Sequence, residues 1–285
     1  MPFDLTSNTP VVVVPEALDF KVHFHTTSWA EKKYVINSDT GEYIGIVGKD
    51  FKCASHGDFF RQVVSTATEE YSSEDMEGAQ YKFSSARSGA WAMLDIHLPN
   101  MVVTIDTDKH STEIGNRIVA LHGVDGSCSN TVFFGEIDFF CTNGMVRGDY
   151  SKIKKKNTSG FSLDTFISEL AKSRFDFYLE AGRLQSWAKT SLKDVDMSTV
   201  IGNMIPSERK AERMLELYYS EALTRGENKW ALYSALTNYA SYADERNGFA
   251  LRNTGKDTQA QSMWGREQEV AKWVSSNTFK HLQAA

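Results

Sequence analysis

The chain has 285 residues, 41% of them hydrophobic and 12% aromatic, with a formal net charge of −6 at pH 7. That apolar content suffices for a sizeable core and excludes a mainly disordered chain, while uninterrupted apolar runs such as residues 11–14 fall far short of the ~20 residues of a membrane-spanning helix. Cys53, Cys128 and Cys141 are widely spaced and form no Cys-x-x-Cys pair, which argues against a disulfide framework; with no basic and apolar leader after Met1, the expected location is the cytoplasm.

Residues 1–145 read mostly as β. Short β-rich runs occur at 11–14, 20–26, 33–37 and 43–47, the last two joined by the turn sequence NSDTGEY, a hairpin signal. Over 55–71 the period changes: Phe59, Phe60, Val63, Val64 and Ala67 recur at helical spacing behind Ser55, a capping residue. The sequence SSEDMEG then closes the helix as an acidic loop. Strands are expected again at 80–85, 89–98, 101–106, 113–121 and 130–141. In 89–98, Ala90, Ala92, Leu94, Ile96 and Leu98 alternate with Trp91, Met93, Asp95 and His97, which predicts one core face and one usable face. Turns at 99–100 and 124–127 predict antiparallel neighbours. From Leu163 onward the period is 3.6, with further helices after Pro206, over 229–243 and over 260–274. The expected fold is α+β: an antiparallel-rich sheet with one packed helix in residues 1–160, then a helical region, 161–285, packed on that core as one unit.

His23 and His25 share one face of a strand but lack a third ligand at convincing spacing, so they read as structural rather than as a metal pair. Asp106, Asp108 and His110 read as a polar turn, with a carboxylate site for acid–base chemistry as the alternative. The usual ATPase, dehydrogenase, hydrolase and zinc-peptidase motifs do not occur, and no catalytic residue, cofactor or metal is assigned. More informative is 147–156, where Arg147, Lys152, Lys154, Lys155 and Lys156 face only Asp149. Such like charges repel unless solvated or paired with anions. Followed by Asn157, Thr158, Ser159 and Gly160, they read as a basic loop suited to backbone phosphates. Lys82 and Arg87, near Tyr81, Phe83 and Trp91, extend this into a cation–aromatic patch of the kind that holds single strands.

The block RIVALHGVDGSCSNTVFFGEIDFFCTNGMVRG (117–148) resembles a family of phage and plasmid proteins catalogued as domain of unknown function 932. The resemblance rests on a strand, the turn Asp125-Gly126-Ser127, and a strand running into Cys141-Thr142-Asn143. Where that family often continues with His-Thr, this chain has Asn157-Thr158. Residues 230–247 are similar to the family's helical C-terminal signature. The resemblance implies a phage or mobile-element context and no particular reaction; Cys141 and Asn143 are read as fold-determining. The element order also resembles single-strand annealing recombination proteins, which assemble as rings or filaments, an analogy of architecture. The resulting expectation is an ATP-independent protein that binds and anneals single-stranded DNA in replication or recombination, as a homo-oligomer. Two alternatives stand beside it: a regulator that binds a host replication or transcription protein through its acidic half, and a nucleic-acid enzyme with carboxylates near Asp106 and Asp108.

Overall fold

The computed structural model describes residues 12–138, 143–146, 152–155, 163–243 and 259–283, with the backbone alone for 136–138, 143–146, 152–155, 163–171 and 173–175. Its first sheet is a small antiparallel one, β1 (Val22–Thr26), β2 (Lys32–Asn37) and β3 (Tyr43–Gly48), in that order. The β2–β3 turn forms where the sequence signals it. Asn37 Oδ1 accepts from the N–H groups of Asp39 and Thr40 at 2.8 and 3.2 Å, and Gly41 takes φ +74°, which its missing Cβ permits. Helix α1 (His56–Glu70) starts at Ser55, whose side chain accepts from the Asp58 N–H. The acidic segment after it is a second short helix, α2 (Ser73–Met76), closed by a reciprocal Ser72–Asp75 capping box.

The second sheet runs β4 (Gln80–Ala86), β5 (Trp91–Asp106), β6 (Ser111–Gly123), β7 (Asn130–Asp138) and β8 (Asn143–Val146), with β9 (Lys152–Lys155) also pairing with β7. Every pairing is antiparallel. Among the described residues six helices follow: α3 (Leu163–Lys189), α4 (Met197–Met204), α5 (Glu208–Arg225), α6 (Lys229–Tyr242), α7 (Gln259–Val274) and α8 (Asn277–Lys280). The architecture is therefore α+β, as the periodicities imply.

Three further expectations need correction here. Residues 12–15 are not a strand; Val12 and Val14 are buried in the cluster under α1, Val13 is exposed, and a 3₁₀ turn, Glu16–Leu18, follows. Residues 99–100 do not divide two strands, because β5 is continuous and its register against β6 shifts between Leu98 and Val102. A bulge accepts Pro99, which has no N–H for the ladder. Most consequential, β5 has no free face over residues 91–98. Leu94, Ile96, Ile118, Ala120 and Phe134 pack beneath Phe59, Phe60 and Val63 of α1 and Phe177 of α3. On the other side Trp91, Met93, Val119, Leu121 and Phe133 pack with Trp264 of α7. Ile105 and Ile114, toward the far end of the β5–β6 hairpin, join the core of the helical half with Trp230, Leu236 and Tyr239.

The polar residues expected on the usable face are enclosed as well. Arg117 Nε and Nη2 donate to the two oxygens of Asp95 at 2.8 and 2.7 Å. Its Nη1 and Nη2 donate to Glu267 of α7 at 2.9 and 3.1 Å. His97 Nε2 stands 3.1 Å from Asp95 Oδ1. One guanidinium thus serves two buried carboxylates. Burial would raise the Asp95 carboxyl, but Arg117 and His97 hold it well below the usual range. At Glu267 burial prevails over Arg117 and the pKa is raised.

Candidate functional site

The basic run is not simply a loop. Lys152, Ile153, Lys154 and Lys155 pair with Phe133, Val132, Thr131 and Asn130 of β7. Since a strand alternates between faces, positions 152 and 154 belong to one register parity and 153 and 155 to the other. Together β8 and β9 line the outer edge of β7, β8 from Asp138 to Gly135 and β9 from Phe133 to Asn130. Arg147, Lys156 and Cys141 lie outside the described residues, and Asn143 opens β8 in register with Asp138.

Lys82 is exposed on β4. Arg87 occupies a strained turn in which Arg87, Ser88 and Gly89 take φ of 57°, 53° and 80°, and its guanidinium pairs with the carboxylate of Asp125. It is engaged within the protein rather than free for a phosphate. Trp91 is 2% exposed, which removes it as a stacking platform: α7 covers the face it occupies. The Asp106–Ser111 segment is a polar turn, with Thr107 and His110 bonded to each other and Ser111 Oγ donating to Asp106 Oδ1 at 2.6 Å.

A cluster of accessible aromatic side chains lies elsewhere, on the small sheet. In its register His23 pairs with Ile36, His25 with Tyr34, Tyr34 with Ile46 and Ile36 with Tyr43, so these six residues share one face. Val35 and Val47 instead pack with Phe51, with Val22 and Phe24 against them. Tyr34, Ile46, Tyr43 and Trp29 are 40%, 41%, 60% and 67% exposed. The Tyr34 and Tyr43 rings meet edge to face at 5.8 Å, and those of His23 and His25 at 4.8 Å. Trp29 is held in the β1–β2 turn, its N–H donating to Thr27 Oγ1 at 3.0 Å and its carbonyl accepting from Lys32 N–H at 2.9 Å. Lys21 and Lys32 are exposed beside this surface, and His23, His25 and Ile36 help to line an open depression of about 210 Å³. Clustered exposed aromatic surface of this kind is a candidate contact site. The signal lay in the period-two pattern His23, His25 and Tyr34, Ile36, of which sequence reasoning read the two histidines as structural and 33–37 only as a strand. Among the described residues no group of three His, Cys, Asp or Glu side chains is placed to hold a metal ion.

A second feature missed from the sequence is the buried pair His56 and His122. His56 Nε2 lies 2.8 Å from the Gly89 carbonyl, and the two Nδ1 atoms are 2.8 Å apart. A carbonyl only accepts, so His56 carries its proton on Nε2; its Nδ1 then accepts from His122 Nδ1–H. This order of donors is satisfied with both rings neutral. Burial favours that state, lowering His56 to about 4 against the opposing Gly89 bond and Asp125, and lowering His122 well below the ordinary histidine value. The pair thereby ties α1 to the strained Arg87–Gly89 turn. Nearby, burial pushes the Cys53 thiol up to about 12, the reverse of an activated nucleophile.

A sheet with apolar clusters on both faces, joined to a helical half and accompanied by a small sheet with an exposed aromatic face, defines an α+β protein. The chain belongs to the family described as a domain of unknown function (DUF932), whose model matches residues 44–278. β1 and β2 precede that match, so the aromatic face is built largely from residues outside it. No curated protein and no solved structure matches the chain. Among the described residues no helix is long and apolar enough to cross a membrane.

Proposed function

We propose that the protein binds single-stranded nucleic acid, as an ATP-independent annealing protein of a phage or related mobile element, in the cytoplasm and as a homo-oligomer. The observation that carries this reading is the exposed face of Tyr34, Tyr43, His23 and His25 on an antiparallel sheet, with Trp29 exposed in the adjoining β1–β2 turn. Every base has a π-face, so such rings hold bases without selecting a sequence, while Lys21, Lys32 and the cations of 147–156 neutralise phosphates. Annealing requires no covalent chemistry, only bases held so that a complementary strand can pair with them.

Fluorescence anisotropy with labelled single- and double-stranded oligonucleotides, over a salt series, separates the two contributions. Tyr34→Ala with Tyr43→Ala is expected to weaken single-strand binding by about 1–3 kcal/mol per stacked base, leaving the salt slope unchanged. Replacing Lys154, Lys155 and Lys156 by Ala is expected to lower that slope by ~0.7 for each phosphate no longer neutralised. Failure of the wild-type protein to bind single strands at micromolar concentration overturns the reading. Binding that survives the tyrosine changes undiminished moves the platform away from the small sheet.

A further inference from the structure

A cavity of about 140 Å³ lies where α3, the start of α6, the end of α7 and α8 meet, and Arg183, Trp187, Lys229, Phe279 and Lys280 line it. Lys229 is 5% exposed. Its Nζ donates to the carbonyls of Lys280 and Leu282 at 3.2 and 3.3 Å and lies 4.8 Å from the Phe279 ring centroid and 5.7 Å from that of Trp187. An ammonium has three N–H donors, so one remains. Lys229 forms no ion pair with a carboxylate among the described residues; besides burial, what acts on it is the charge of Arg183, a like charge. Arg183 stacks over Trp187 at 4.9 Å and pairs through Nη2 with Glu180, while its buried Nε has no hydrogen-bond partner. Lys229 is also the first residue of α6, where the helix dipole is positive. Uncompensated buried charge is costly, and each of these contributions has the sign that an anion would offset.

We propose that this cavity is a phosphate pocket for a small phosphorylated molecule, with Arg183 Nε and Lys229 Nζ donating to the phosphate and Trp187 and Phe279 flanking the group that carries it. Two cationic side chains with unspent donors match a dianion better than a single carboxylate. A space of about 140 Å³ takes one phosphate and part of its substituent, not a run of nucleotides. The site stands apart from the aromatic sheet and does not depend on the nucleic-acid reading.

Titration of the full-length protein with inorganic phosphate and with phenyl phosphate, at ionic strength matched with sodium chloride, tests the proposal by calorimetry and thermal unfolding. Saturable one-site binding is expected, with phenyl phosphate the tighter. At ten times Kd the unfolding midpoint should rise by about 3 °C. Arg183→Gln and Lys229→Met should each weaken binding tenfold or more, whereas Glu180→Gln, which frees the guanidinium, should tighten it. Because Lys229→Met also removes two hydrogen bonds to carbonyls, Arg183→Gln, on a partly exposed side chain, keeps the test decisive if the first variant unfolds. No response beyond that to chloride overturns the proposal, as does a response retained in Arg183→Gln. Displacement of phosphate by a single-stranded oligonucleotide would make the anion a nucleic-acid phosphate and overturn the small-molecule assignment.

Discussion

Between pH 7 and pH 5 the folded state is expected to lose about 2 kcal/mol of stability through His56 alone, with His122 adding to the loss in the same direction. Each imidazole is held neutral in the fold and titrates near 6.5 once the chain unfolds. The unfolded state therefore binds more protons as pH falls below 6.5, so the stability present above that pH declines toward pH 4. Burial explains why the native pair resists protonation: a charge on either ring would be enclosed, and charging both would set two N–H donors against each other at 2.8 Å. Urea unfolding at pH 7, 6 and 5 measures the slope. His56→Gln keeps an N–H for the Gly89 carbonyl but does not titrate, and should flatten it. A wild-type midpoint that stays constant over this range would mean that the pair protonates within the fold.

Removing Arg117 should have the largest effect of any single substitution considered. Arg117→Met leaves Asp95 and Glu267 buried without their shared cation, and breaking such an arrangement costs about 3–5 kcal/mol. Glu267→Gln should cost far less. The network has two carboxylates for one guanidinium, and Glu267 is the one that burial already pushes toward its neutral form, so an amide replaces a charge that the site holds poorly. Denaturant midpoints at constant m-value compare the two variants. Equal costs would show that both carboxylates are fully compensated, contrary to the geometry. Since Glu267 lies on α7, the Arg117 variant should also loosen the cover over Trp91, a change readable in tryptophan fluorescence.

Much of this molecule is legible locally. The 3.6-residue period after Leu163 marks α3, the Asn37–Gly41 segment encodes its own turn, and Ser55 caps α1 through a hydrogen bond three residues away. These succeed because the stabilising partner lies within a few residues. Periodicity also assigned Leu94 and Ile96 correctly to an apolar face. It could not say what meets the opposite face, because the partner of Arg117 is Glu267, 150 residues away. Asp95 and His97 look solvent-facing until α7 delivers Trp264 and the second carboxylate, which is also why Trp91 is core and not platform. Likewise, KIKK reads as a solvated loop by charge, whereas β-pairing with Asn130–Phe133 is a non-local choice made by the free edge of β7. The His56–His122 pair, 66 residues apart, and the Arg183–Lys229 cavity arise in the same way. Local sequence decides which residues seek an apolar or a capped position; the assembled fold decides which buried charges and imidazoles find compensation, because charge pairing and burial depend on distance in space and not along the chain.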